Sequence, residues 1–135
     1  MITAVDTSVL LDVFGGDPVH GESSRMALKA CLRDGALIAC DVVWAETAAC
    51  FPTDRRAADA LGRLGVRLSP LDEEASFAAA GAWRAYRRAG GRRARVIADF
   101  LIGGHAAVHA DQLLTRDRGF SRRHFRGLRL LDPSR

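Results

Sequence analysis

Cysteine, lysine and long apolar runs are all scarce in this sequence of 135 residues. The three cysteines are an odd number and form no C-x-x-C pair, which argues against a disulfide framework and against a thiolate zinc site. No uncharged stretch is long enough to span a bilayer, and the N-terminus MITAVDTS lacks the features of a signal peptide. We therefore expect a soluble cytoplasmic protein with reduced thiols and no membrane association.

Positive charge comes almost entirely from arginine. The sequence contains 19 arginines and one lysine, and its formal net charge is +4. Guanidinium groups bind phosphate bidentately, so nucleic acid is a candidate partner, although an acidic protein partner or solubility alone would fit the same surplus. The hydrophobic content of 48% and the charged content of 27% are typical of a globular protein, and the length predicts a single domain over residues 1–135.

Short apolar runs alternate with segments of helical pattern. The runs predicted to be strands are Ile2–Val5, Ala36–Cys40, Val66–Leu68, Gln112–Thr115 and Leu128–Leu131. Ser8 and Asp41 are predicted to cap the helices that follow the first two strands. This alternation predicts an α/β fold with a central, mostly parallel sheet of four to five short strands and helices on both faces.

Four acidic residues fall near the ends of predicted strands. Asp6 follows the first strand and Asp117 follows the fourth, while Glu46 lies early in the helix after the second strand and Asp99 begins the helix before the fourth. Ligand sites in α/β sheets form at the carboxyl ends of the strands, so we expect these acids at one rim. Clustered carboxylates must hold protons or bind a cation, and oxygen ligands favour Mg²⁺ or Mn²⁺. With arginines nearby, metal-dependent hydrolysis of a nucleic acid fits this set.

Each acid also has a structural interpretation. Asp6 could cap a helix, Glu46 could be an exposed helix residue, and Asp99 could be a first-turn acid favoured by the helix dipole. Asp117 could be a turn residue before Gly119. Taken singly these interpretations are preferable, but four acids placed together at strand ends favour a site.

Three motifs resemble the PIN-domain family. They are AVDTSVLLD at the start, WAE in the middle and RVIADFLIGGHAAVHADQLLTRDRGFSRRHF near the end. The resemblance is strongest to the VapC-type ribonuclease toxins of toxin–antitoxin pairs, and it spans Met1 to Leu131. Its most specific part is the terminal block, in which D-x-x-I-x-x-x-A is followed by L-L-T-x-D-x-x-F.

The resemblance implies a role for each matching position. The four acids at the metal site would be Asp6, Glu46, Asp99 and Asp117. Ser8 and Thr115 match the hydroxyl positions that support the site in this family. The resemblance further implies an endoribonuclease that depends on Mg²⁺ or Mn²⁺ and acts on structured RNA. It also implies a cognate antitoxin that covers the site, and a homodimer.

Several basic residues are candidates for RNA contacts. Those in the loop between two predicted helices are Arg92, Arg93 and Arg95, and a second run is Arg122-Arg123-His124. Arg116 and Arg118, on either side of Asp117, are expected to point away from the metal or toward phosphate. A charge run is also often only solvated. The main alternative is a catalytically silent PIN-like module that binds RNA or protein.

Two histidines have a spacing that can bind zinc on a helix. His105 and His109 form H-x-x-x-H, but Ala106 stands where the glutamate of a zinc protease would be. The helical period places both histidines about 80–120° around the axis from Asp99. We therefore expect a surface or dimer-face pair.

Overall fold

The computed structural model describes residues 1–91 and 97–134, and within them five strands form one parallel sheet. The strand order is β3-β2-β1-β4-β5. The strands are β1 (Ile2–Val5), β2 (Ala36–Ala39), β3 (Val66–Leu68), β4 (Gln112–Leu114) and β5 (Arg129–Leu131). The predicted α/β fold with a parallel sheet of short strands is confirmed.

Seven helices connect and cover these strands in the described part of the chain. They are α1 (Thr7–Phe14), α2 (Gly21–Arg33), α3 (Asp41–Ala48), α4 (Asp54–Arg63), α5 (Glu73–Arg88), α6 (Ile97–His109) and α7 (Arg118–His124). Helix α7 was not predicted, because its sequence RGFSRRH is short, contains glycine and has no apolar stripe. Among the described helices, none combines the length and apolar character needed to cross a membrane.

The register of the two central strands determines where the site lies. Strand β1 pairs with β4 so that Val5 stands opposite Leu114. The next residues along the chain, Asp6 and Thr115, therefore leave the sheet side by side at its carboxyl edge. The Asp6 backbone N–H donates to the Leu114 carbonyl at 3.0 Å, which continues the ladder by one bond.

One apolar cluster packs helices on the sheet, and a second packs helices on one another. The first surrounds β1 and β4 and includes Val5, Leu10 and Leu113, each at most 1% exposed. The second joins α5, α6 and α7 through Phe100 and Phe120, whose ring centroids are 5.0 Å apart. Burying one such side chain contributes about 1.5–3 kcal/mol, so both clusters contribute substantially to fixing the carboxyl edge.

The helix caps differ from the prediction at two places. Asp6, not Ser8, is the N-cap residue of α1, and its Oδ1 accepts from the Thr7 N–H at 2.7 Å. At α3 the N-cap residue is Cys40, without a side-chain hydrogen bond, and Asp41 is the first helical residue. Helix α1 therefore begins two residues earlier than a Ser8 cap implies, although β1 ends at Val5 as predicted. Helix α3 begins one residue earlier than predicted, because β2 ends at Ala39 and not at Cys40.

The prediction of a surface histidine pair was wrong for His105. This side chain is 1% exposed, and its Nε2 lies 2.8 Å from the Ser69 hydroxyl. The Nε2 atom of His109 lies 2.8 Å from Oδ2 of Asp72, at the start of α5. Helix α6 is packed against α5 along this side, so both histidines have structural partners within the chain.

Candidate functional site

Asp6 and Thr115 form the centre of the candidate site. The Thr115 hydroxyl donates to Oδ2 of Asp6 at 2.7 Å, while Oδ1 of Asp6 accepts from the Thr7 N–H at 2.7 Å. Thr115 is fully buried, and its own N–H donates to the Leu131 carbonyl at 2.9 Å. The carboxylate of Asp6 is thus held in one orientation by groups from the ends of two adjacent strands.

The electrostatic surroundings of Asp6 link it to two of the other acids. Burial raises the pKa of Asp6 above its ordinary value, and the negative charges of Asp99 and Asp117 raise it further. The hydrogen bonds from Thr115 and Thr7 act in the opposite direction without cancelling the rise. The negative charges of Asp99 in α6 and of Asp117 after β4 therefore both act on Asp6, the residue that follows β1.

Glu46 is connected to the start of α1, next to Asp6, through Thr7. Its Oε1 accepts from the Thr7 hydroxyl at 2.7 Å, which connects α3 to the first residue of α1. The family resemblance implies a supporting hydroxyl at Ser8, but the Oγ of Ser8 is buried and has no hydrogen-bond partner among the described residues. Thr7 was missed because nothing in the sequence shows which of two adjacent hydroxyl residues faces α3.

Asp117 stands on the short loop between β4 and α7. Its N–H donates to the Thr115 hydroxyl at 3.0 Å, and its Oδ1 accepts from the Phe120 N–H at 3.4 Å as the N-cap of α7. The Thr115 hydroxyl therefore touches both Asp6 and Asp117. One buried oxygen atom thus contacts the carboxylate of Asp6 and the backbone of Asp117.

The arginines on either side of Asp117 have carboxylate partners within the chain. Arg116 donates from Nε and Nη2 to the two oxygens of Asp12, at 2.8 and 2.9 Å. The Nε atom of Arg118 lies 3.2 Å from Oδ2 of Asp132. We expected both side chains to point away from the metal or toward phosphate, and the ion pairs were not predicted.

The remaining basic candidates divide into two groups. Arg92, Arg93 and Arg95 lie outside the residues that the structure describes. Arg122 and Arg123 are exposed on α7, and the side chains of Arg123 and His124 help to line a cavity of about 730 Å³ next to Tyr86. This cavity is formed by α5 and α7, not by the acids.

The donor set is suited to a hard divalent cation. The three aspartates supply only oxygen atoms, and a cation would offset both the burial of Asp6, which is the main cause of its raised pKa, and the nearby negative charges. Within residues 1–91 and 97–134, however, no three His, Cys, Asp or Glu side chains are arranged to hold one ion. The chemistry of the residues fits the metal, while the complete ligand arrangement is not formed.

Comparison with known proteins places the chain in a family. Its sequence matches the model of the PIN domain over residues 3–125. No protein of curated function matches it at a significant level.

Solved structures with the same fold come from several bacteria. VapBC2 from Rickettsia felis, bound to a DNA fragment from its promoter, matches with a TM-score of 0.76 at 17% identity, over 98% of both chains. VapBC-1 from nontypeable Haemophilus influenzae matches with a TM-score of 0.71 at 16% identity, over 100% of both chains. VapC20 of Mycobacterium tuberculosis, a toxin that cleaves the sarcin-ricin loop, matches with a TM-score of 0.57 at 16% identity, over 88% of this chain and 94% of that one.

These likenesses support the fold, and the family match covers nearly the whole chain. This chain belongs to the PIN domain family.

Proposed function

We propose that this protein is an endoribonuclease that depends on Mg²⁺ or Mn²⁺ and acts as the toxin of a toxin–antitoxin pair. The observation that carries the proposal is the buried Asp6 carboxylate at the carboxyl edge of the sheet, which accepts from the same Thr115 hydroxyl that contacts Asp117. The negative charges of Asp99 and Asp117 also act on Asp6. A buried carboxylate beside other negative charges is unfavourable unless it binds a proton or a cation. Their position is also where α/β sheets bind ligands.

The acids and the threonines have separate roles in this proposal. Asp6, Glu46, Asp99 and Asp117 would hold the metal, which lowers the pKa of bound water and neutralises charge on the phosphodiester. Thr115 holds one oxygen of Asp6 and the backbone of Asp117. Thr7 holds Glu46. These hydrogen bonds orient the carboxylates before RNA arrives.

The partners are proposed from the similar structures. VapC20 cleaves an RNA loop, which supports RNA as the substrate class. The Rickettsia and Haemophilus structures are VapBC assemblies, which supports a cognate antitoxin for this chain. A homodimer and a cytoplasmic location remain predictions from the sequence. Light scattering of the purified protein tests the first, and co-purification with the product of an adjacent small gene tests the antitoxin.

RNA cleavage by purified protein tests the proposal directly. We expect cleavage with Mn²⁺ or Mg²⁺, and a loss of about 100-fold or more in Asp6→Asn and Asp99→Asn, because even indirect supports of metal ligands are worth 10–100-fold. Asp59→Asn is the matched control, since Asp59 is exposed on α4 and should leave the rate unchanged. If the wild-type protein neither cleaves RNA nor binds a divalent ion, the proposed ribonuclease activity is refuted.

A silent RNA-binding module is the second candidate. It is favoured by the absence of a complete ligand set among the described residues. The cavity lined by Tyr86, Arg123 and His124 offers an aromatic ring and positive charge, which suit a nucleotide. This candidate predicts RNA binding that weakens with salt, a weaker salt dependence in Arg123→Ala, and no cleavage by any variant.

A further inference from the structure

The ion pair between Asp12 and Arg116 has a geometry unlike that of a surface contact. Both oxygens of Asp12 accept from the guanidinium, at 2.8 and 2.9 Å, and Oδ2 also accepts from the Ser24 hydroxyl at 2.9 Å. The Asp12 side chain is 4% exposed. A buried carboxylate that loses its partner is strongly destabilised, so this arginine is committed to Asp12.

The position of this pair relates it to the acids. Arg116 stands between Thr115 and Asp117, while Asp12 lies in the last turns of α1. The N-terminal end of the same helix carries Asp6, about 9 Å away by helical rise. Thr115 is bonded to the helix at Asp6, and Arg116 is bonded to it at Asp12. The loop is therefore fastened to α1 at two points.

We infer that Asp12 and Arg116 are positioning residues, which set the place of Asp117 and Thr115 relative to Asp6. The bidentate fork of arginine fixes direction as well as distance, and lysine offers no such fork. Arg118 restrains the other side of Asp117 through Asp132. Arg116, which the sequence suggests as a possible phosphate contact, instead orients the site. Only the kinetic consequence of this inference rests on the proposed nuclease function.

Kinetics separates positioning from RNA contact. We expect Asp12→Asn and Arg116→Met each to lower kcat by about tenfold to 100-fold with little change in KM, since small misplacements of reacting groups have such effects. The double variant should be no worse than either single one, and Arg116→Lys should recover little. If Arg116 bound phosphate, Arg116→Met would raise KM and weaken its salt dependence, while Asp12→Asn would do neither. That result would overturn the inference.

Amide hydrogen exchange gives a readout that does not need activity. In Arg116→Met, the amides of Asp117 and Phe120 should exchange at least tenfold faster, because both are bonded within the loop, while amides of β1 keep their protection. Arg25→Met is the matched control, since it removes an exposed ion pair with Glu22 at 2.9 Å and should change neither exchange nor kcat. Unchanged loop exchange in Arg116→Met contradicts the inference. If the wild-type protein is inactive but the loop amides exchange faster in Arg116→Met, the proposed function is refuted and the positioning inference stands.

Discussion

Replacing Thr115 by valine removes a single hydroxyl group that joins two of the acids. Its Oγ1 donates to Asp6 at 2.7 Å and accepts from the Asp117 N–H at 3.0 Å. Valine has nearly the same shape, so the buried position stays filled and only the two hydrogen bonds are lost. We expect Thr115→Val to be clearly less stable than the wild type.

The magnitude follows from the two bonds. A hydrogen bond to a charged group contributes about 1.5–3 kcal/mol, and one between neutral groups contributes about 0.5–1.5 kcal/mol. The free energy of unfolding should therefore fall by about 2–4 kcal/mol. For a domain of this length the melting temperature drops about 3–5 °C per kcal/mol, which predicts a fall near 10 °C.

Thr115→Ser is the matched variant for this prediction. It keeps the hydroxyl and loses one buried methyl group, which costs about 1 kcal/mol. Chemical denaturation of both variants in metal-free buffer measures the difference. If Thr115→Val proves as stable as Thr115→Ser, the hydroxyl does not hold the two acids as described.

The remaining predictions concern packing and pH. Gly104→Ala should lower the free energy of unfolding by about 1–3 kcal/mol, because its Cβ would lie 2.7 Å from the Ala79 backbone nitrogen, which outweighs any gain in helix propensity. Gly81→Ala, with open space around the new Cβ, should raise it by about 0.5–1 kcal/mol, and thermal melting checks the opposite signs. Burial and the neighbouring His109 lower the pKa of His105, although Asp72 and Asp41 oppose this. Below about pH 6.5 the unfolded chain therefore binds a proton at His105 that the folded chain excludes. The free energy of unfolding consequently decreases as the pH is lowered. Denaturation of His105→Gln between pH 5 and 7 should show a shallower slope.

Much of the fold could be predicted from the sequence because its signals are local. Short apolar runs mark each strand, and every predicted strand differs from the observed one by at most one residue at either end. The order of the strands had no such signal, since pairing depends on contacts between remote segments. Helix α7 was missed because its stability comes from Phe120 packing on Phe100, not from its own pattern.

The acids were easier to find than their partners. Asp6 follows β1 directly and Asp117 comes three residues after the end of β4, so their place near the sheet edge follows from topology. Asp12 forms an ion pair with Arg116, 104 positions away in the chain, and no local pattern in the sequence indicates this pairing. Which residues bind RNA stays a prediction.

Diffraction from crystals grown with Mn²⁺ tests the central claim most directly. An anomalous peak should lie about 2.0–2.2 Å from carboxylate oxygens of Asp6 and Asp99, with Asp117 or Glu46 close by, and it should vanish in Asp6→Asn. A peak at some other place, or none at a saturating concentration of the ion, would contradict a divalent-metal site at this edge of the sheet.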